Sequence, residues 1–114
     1  TTVLLHCDLV YAAPSARFRL PFVDLGLVPE AASSLLLPAA VGPARAAEWL
    51  LLGEPFGAAD ALAAGLVTEV VDEPLARAAE RAGALASKPP EAVRLTKSLL
   101  RRPLAEAVRA TMEA

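Results

Sequence analysis

Apolar residues fall in short runs near the N-terminus and in helical stripes further on. Thr1 to Leu5 is short and apolar, and reads either as the last turn of a helix or as the start of a strand. Leu9 to Ala13 (LVYAA) is β-branched and aromatic enough for a short buried strand, closed by Pro14 and Ser15. Arg17 to Leu20 reads as another strand, stopped by Pro21. From Phe22 to Glu30, Gly26 and Pro29 continue the punctuation and predict a loop.

After Pro29 the spacing turns helical. Ala31 to Ala40 predicts a helix that Pro38 disturbs and Gly42 ends. Pro43 suits the first turn of a second helix with a stripe of Ala46, Ala47, Leu50 and Leu51, stopped by Gly53. Ala58 to Ala64 predicts a short helix closed by Gly65, and Leu66 to Val71 a strand. Asp72 is placed to cap the next helix, with Glu73 in its positive first turn and a stripe of Leu75, Ala78, Ala79, Ala82 and Leu85. Beyond Pro89 and Pro90 a further helix carries Ala92, Leu95, Thr96, Leu99 and Leu100. Pro103 should break it, and Leu104, Ala107, Val108, Thr111 and Met112 begin another stripe. Short strands first and helices afterwards predict a mixed α and β fold with a helical C-terminal part. Residues 73–114 read as three amphipathic helices, each with a stripe that needs a partner.

Composition sharpens that last point. Hydrophobic residues make up 55% of the 114 and charged residues 21%, which excludes a disordered chain. Much of the apolar share is alanine, and one Trp, one Tyr and three Phe leave few large side chains for a self-sufficient core. The surplus is expected to pack against missing chain or a sister subunit. The chain opens at Thr1 inside an apolar segment and stops at Ala114 inside a helical pattern, so both ends are expected to continue in a longer protein. A net charge of −2 gives no attraction to nucleic acid or to anionic membranes. No apolar run approaches the ~18 residues of a membrane span. The single cysteine, Cys7, excludes an internal disulfide and fits a reducing compartment, and we expect a cytoplasmic protein.

Several residues invite a chemical reading. His6, Cys7 and Asp8 are adjacent, but consecutive side chains diverge and one His with one Cys makes a poor metal site, so Cys7 is expected to be a small buried residue. No metal site is expected. Ser33 and Ser34 lack a G-x-S-x-G elbow, and His6 is the only histidine to serve them; helix-start hydrogen bonding or small-residue packing fits better. Asp24 is a possible second polar group beside Glu30, but reads better as a loop residue bonding backbone amides.

Three segments in register resemble the enoyl-CoA hydratase/isomerase (crotonase) superfamily: CDLVYAAPSARFRLPFVDLGLVPE (Cys7 to Glu30), LPAAVGPARAAEWLLLGEPFGAADALAAGLVTEVV (Leu37 to Val71) and ALASKPPEAVRLTKSLLRR (Ala84 to Arg102). They match the second half of such proteins. The resemblance implies an α/β, crotonase-like fold, in which the remnant of a ββα spiral core is followed by C-terminal helices in an incomplete domain. Residues 1–72 would be the C-terminal part of the core and residues 73–114 a truncated helical region. The missing N-terminal half would supply the first backbone N–H of an oxyanion hole, and a glycine-rich turn before Thr1 the second.

Within the family, hydratases use two glutamates, which align with Thr2 and Phe22 here; neither is a carboxylate. The pattern of Pro21, Phe22, Leu25, Gly26, Pro29, Glu30, Ser33 and Ser34 resembles the peroxisomal-type Δ3,Δ2-enoyl-CoA isomerases, and makes Glu30 the catalytic base. The resemblance implies that Glu30 shifts a double bond in a fatty acyl-CoA through a thioester enolate. Where those enzymes have Gly and another small residue, this chain has Ala31 and Ala32. The dull alternative is that Glu30 merely opens a helix. Phe22, Leu25, Leu27 and Leu35 are candidate substrate-binding walls for the acyl chain, although from the residues alone they read by default as core. Lys97, Arg101 and Arg102 either face CoA phosphates or, as we prefer, place charge at a helix C-terminus. No cofactor is implied beyond coenzyme A as part of the substrate, and the implied partners are an acyl-CoA thioester and sister copies in a homotrimer or dimer of trimers. Other members catalyse hydration or hydrolysis, and a catalytically silent assembly subunit is the alternative outside enzymes.

Overall fold

The structure is a computed structural model and describes residues 1–113; Ala114 lies outside the described residues. The chain opens with a 3-10 helix, Thr2–His6, which resolves the ambiguous apolar start. Two short strands follow, β1 (Tyr11–Ala12) and β2 (Arg17–Phe18), inside the segments expected to form them. After a long loop come α1 (Ser33–Val41), α2 (Pro43–Leu52), β3 (Phe56–Gly57), α3 (Ala58–Ala64) and β4 (Glu69–Val70). Two longer helices, α4 (Pro74–Ala86) and α5 (Pro90–Glu113), end the chain. Strands and helices therefore interleave through the first 70 residues. The sequence pattern missed β3, which is only two residues long.

Two small ladders hold the first part together. β1 pairs parallel with β4, Tyr11 opposite Glu69 and Ala12 opposite Val70. The pairing extends to the Thr68 amide, 2.7 Å from the Val10 carbonyl, and to the Thr68 hydroxyl, which accepts from the Val10 amide at 2.9 Å. β2 pairs antiparallel with β3, which puts Phe18 opposite Phe56. Phe56 in turn stacks on Trp49 of α2, with ring centroids 3.7 Å apart and planes within 4°. Around this aromatic centre Val10, Leu20, Leu37, Ala46, Ala61, Leu66 and Val67 form one buried cluster. A few large side chains thus suffice because they stack on one another and the alanines let helices approach.

Four local expectations change. The inward stripe of α2 is Ala46, Trp49 and Leu50, whereas Ala47 and Leu51 face out; the bulk of Trp49 decides which face turns in. The strand expected over Leu66 to Val71 shrinks to β4 because the Leu66 and Val67 amides both bond the Ala61 carbonyl, at 2.9 and 3.2 Å, closing α3. Glu73, not Asp72, occupies the cap position of α4 and makes no capping bond there; Pro74 begins the helix, so its first turn is without acid. Pro103 does not break α5, which runs 24 residues through it. Proline removes one donor there, which the Leu99 carbonyl would have accepted, and Leu99 is exposed enough for water to replace it. Residues 74–113 therefore hold two helices rather than three.

The two final helices bury none of their described residues. α4 lies against β1 and α5 crosses α1. Arg77 reaches Glu69 at 3.3 Å and Glu80 at 2.9 Å, fastening α4 to β4. Leu75 is 84% exposed and Leu100 77%. The radius of gyration, 15.3 Å, exceeds the ~13 Å of a compact chain of this length. The apolar surplus seen in the composition is exposed on these helices and also on the loop and α2 before them, at Leu25, Leu27, Val28 and Leu51 among others. Among the described residues no helix is long and apolar enough to cross a membrane.

Candidate active site

The loop from Pro21 to Pro29 is wound tightly rather than extended. The Leu25 amide bonds the carbonyls of Pro21 and Phe22, the Gly26 amide that of Val23 at 3.0 Å, and the Leu27 amide that of Phe22 at 2.7 Å. Gly26 supplies the positive φ, 70°, that this winding requires. A latch from outside holds the loop. Arg19 donates from Nε to the Gly53 carbonyl at 2.7 Å and from Nη2 to Asp24 at 3.0 Å. Asp24 is therefore a loop residue as expected, but its partner is a guanidinium and not backbone amides.

The loop ends in a second tight turn. The Ser33 amide bonds the Glu30 carbonyl at 2.9 Å, and the two residues between them, Ala31 and Ala32, have φ of 53° and 60°. Positive φ at both central positions is the geometry of a type I′ turn, which favours Asn and Gly. For alanine it costs roughly 1–2 kcal/mol per residue, because Cβ crowds the carbonyl that follows. Both departures from the isomerase pattern thus fall on strained positions. Surrounding contacts hold the turn. Ala32 and Ser33 are buried, the Ala32 carbonyl accepts from the Leu35 and Leu36 amides to start α1, and His6 Nε2 lies 2.7 Å from the Ala31 carbonyl.

On this turn Glu30 is exposed, one turn ahead of the positive end of α1. Of the four candidate wall residues, Phe22 packs half-buried against the core and Leu35 is half-buried, while Leu25 and Leu27 stand out into solvent. They cluster along one loop and the following helix. Two apolar hollows lie elsewhere. One of about 510 Å³ runs between Leu9, Leu85, Pro89, Val93 and Leu100. The other, about 470 Å³, lies between Leu5, Leu36, Leu104 and Val108. Thr2 sits in the 3-10 helix, and neither it nor Phe22 offers a carboxylate.

Ser33 and Ser34 part company. Ser34 is exposed, and the Ser33 hydroxyl is the one buried side-chain polar atom among the described residues without a hydrogen-bond partner. No side-chain cap forms at α1, so helix-start bonding is replaced by small-residue packing. His6, Cys7 and Asp8 diverge as expected, but Cys7 is exposed rather than buried. The backbone leaves the 3-10 helix extended at Cys7, which turns its thiol outward. Asp8 receives Lys97 at 2.8 Å and Arg101 at 2.6 Å. Hydrogen bonds from Lys97 and then Arg101 hold its carboxyl below the usual aspartate range. Both cations sit in mid-helix, because α5 runs on to Glu113, and so the helix-end reading of this basic cluster falls. Among the described residues no three His, Cys, Asp or Glu side chains converge on a possible metal site.

The His6 contact and the Arg19 bond to Gly53 had no local signal in the sequence, since each joins residues far apart along the chain. Alanine after Glu30, where the isomerase pattern has glycine, was the one clue to the strain.

Comparison with known proteins bears on the same region. The family model described as enoyl-CoA hydratase/isomerase matches residues 1–114. Enoyl-CoA delta isomerase 2 of Rattus norvegicus is 41% identical over 98% of this chain and 29% of its own length. The 2,3-dehydroadipyl-CoA hydratase of Escherichia coli K12 is 38% identical over 85% of this chain and 39% of its own. The crystal structure of an enoyl-CoA hydratase/isomerase from Pseudoalteromonas atlantica T6c superposes with a TM-score of 0.95 at 52% identity, over 98% of this chain and 46% of that one. The chain thus spans less than half the length of each.

Proposed function

The chain belongs to the enoyl-CoA hydratase/isomerase family, and from that premise we propose that its full-length protein is an enoyl-CoA isomerase with Glu30 as the base. The observation that carries the reading is the placement of Glu30 on a strained, externally held turn ahead of α1. Backbone strain of this kind persists only where surrounding structure enforces it, and it gathers at functional sites. In the proposed reaction the Glu30 carboxylate removes a proton from C2 of a 3-enoyl-CoA. The C2–H electron pair moves into the thioester, whose oxygen takes the charge. The proton returns at C4 as the double bond settles between C2 and C3. Donors on the thioester oxygen, each worth about 2.7–4 kcal/mol of barrier, belong to segments beyond this chain. No redox cofactor or metal enters these steps.

Phe22, Leu25, Leu27 and Leu35 are the proposed acyl-chain walls, completed by the rest of the protein. Residues 1–72 act as the end of the catalytic core and residues 73–114 as a helical assembly region. Three copies, or two such trimers, are proposed to cover the open faces of α4 and α5. A hydratase reading draws support from the Escherichia coli relative, but Thr2 and Phe22 give it no carboxylate pair.

The test is turnover of 3-enoyl-CoA and of 2-enoyl-CoA plus water by the full-length protein and its Glu30→Gln variant. We expect isomerisation, and a loss of roughly 10²–10⁴-fold in the variant. Undiminished isomerisation by Glu30→Gln, or hydration as the dominant reaction, would overturn the reading.

A further inference from the structure

Resting on the reading of Glu30 as the base, we propose that His6 is a positioning residue that fixes the turn carrying it. His6 ends the 3-10 helix and stands 25 residues ahead of the carbonyl it meets. That carbonyl, on Ala31, only accepts hydrogen bonds, so the ring nitrogen 2.7 Å away, Nε2, carries the proton and donates.

The bonded group matters more than the bond. The Ala31 carbonyl belongs to the central peptide of the turn from Glu30 to Ser33. Turns of types I′ and II′ differ by a flip of that peptide. Flipped, the turn would bring Ala32 to negative φ but would put Ala31 in the conformation that type II′ turns reserve for glycine, so the observed turn is the one an alanine pair can bear. The flip would also swing the Ala31 carbonyl away from His6. The His6 bond ties this turn to the 3-10 helix and holds the direction in which Glu30 is presented.

His6 is itself anchored. Arg101 of α5 donates from Nη2 to the His6 carbonyl at 2.8 Å and to Asp8 at 2.6 Å. Lys97, one turn earlier, reaches the other oxygen of Asp8 at 2.8 Å. A continuous path therefore runs from α5 through the end of the 3-10 helix to the strained turn. His6 meets the turn's backbone and not the Glu30 carboxylate, so the role is orientation.

The test uses the full-length protein and kinetics on 3-enoyl-CoA for Glu30→Gln, His6→Leu, His6→Gln and His6→Asn, with melting temperatures alongside. A glutamine amide nitrogen reaches about as far as Nε2, whereas an asparagine amide reaches only about as far as Nδ1. We expect His6→Leu and His6→Asn to lower kcat by roughly ten- to a hundred-fold with KM little changed, and His6→Gln to restore most of it. Wild-type kcat in His6→Leu beside an inactive Glu30→Gln would overturn the inference alone. Equal losses in the Gln and Asn variants, tracking their melting temperatures, would overturn it as well, since they would reduce His6 to a packing role. Full activity in Glu30→Gln would remove the base and the inference with it.

Discussion

Ala31 and Ala32 take backbone angles that L-residues avoid, and they do so beside Glu30, the proposed base. The cost predicts how a substitution should behave. Ala31→Gly removes about 1–2 kcal/mol of strain and adds about 0.5–1 kcal/mol of chain freedom to the unfolded state. The net is a gain of about 0–1.5 kcal/mol, readable as a rise in denaturant midpoint of the full-length protein. A clear fall would mean that the half-buried Ala31 methyl packs better than the strain suggests. At this scale the sequence was legible by type and not by contact. Glu30 could be singled out from its neighbours, but the Ala31 carbonyl's bond to His6 spans 25 residues and leaves no periodic trace. Likewise Asp8 showed its charge but not that α5 would fold back to meet it.

Among elements, the junction of α2 with the Glu30 loop is the most sensitive. Gly53 ends α2 at φ 64°, and a Cβ built there would lie 2.7 Å from the Asp24 carboxylate. Gly53→Ala therefore meets strain of about 1–2 kcal/mol and also displaces Asp24 from Arg19. We expect a loss of at least that size in denaturant unfolding, and a drop in turnover if the latch orients the loop; an unchanged midpoint would contradict both. Gly53 was legible as a helix stop because glycine in that role has a local cause. The fate of Pro103 was not, because whether a proline ends a helix depends on whether water or packing can serve the freed carbonyl.

The Asp8 cluster makes a prediction of pH dependence for α5. The Asp8 carboxyl is held low by Lys97 and Arg101, so the folded state favours its charged form. Its contribution to stability is fully present above the ordinary aspartate value of about 3.9. It is lost as pH falls through the lower folded value. The melting difference between the native protein and Asp8→Asn should shrink as pH drops below about 4, and a difference independent of pH would show that the pair contributes nothing.

For the whole molecule, the flat shape and the bare faces of α4 and α5 agree with a chain that spans 29% of the rat isomerase's length. Its fold class was legible because three segments kept their order and spacing. The packing of its last two helices was not, since they bury none of their described residues. We expect the isolated 114-residue chain to show no measurable isomerisation, because the donors for the thioester oxygen are proposed to come from the rest of the protein; turnover by the fragment alone would contradict that division of labour.

The central claim is that Glu30 moves a proton at C2, and deuterium incorporation tests it most directly. In D₂O the full-length protein should place label into enoyl-CoA at C2 and C4, followed by mass spectrometry, and Glu30→Gln should slow that incorporation by roughly 10²-fold or more. Equal rates in the two proteins would show that some other group removes the proton, and that Glu30 only begins a helix.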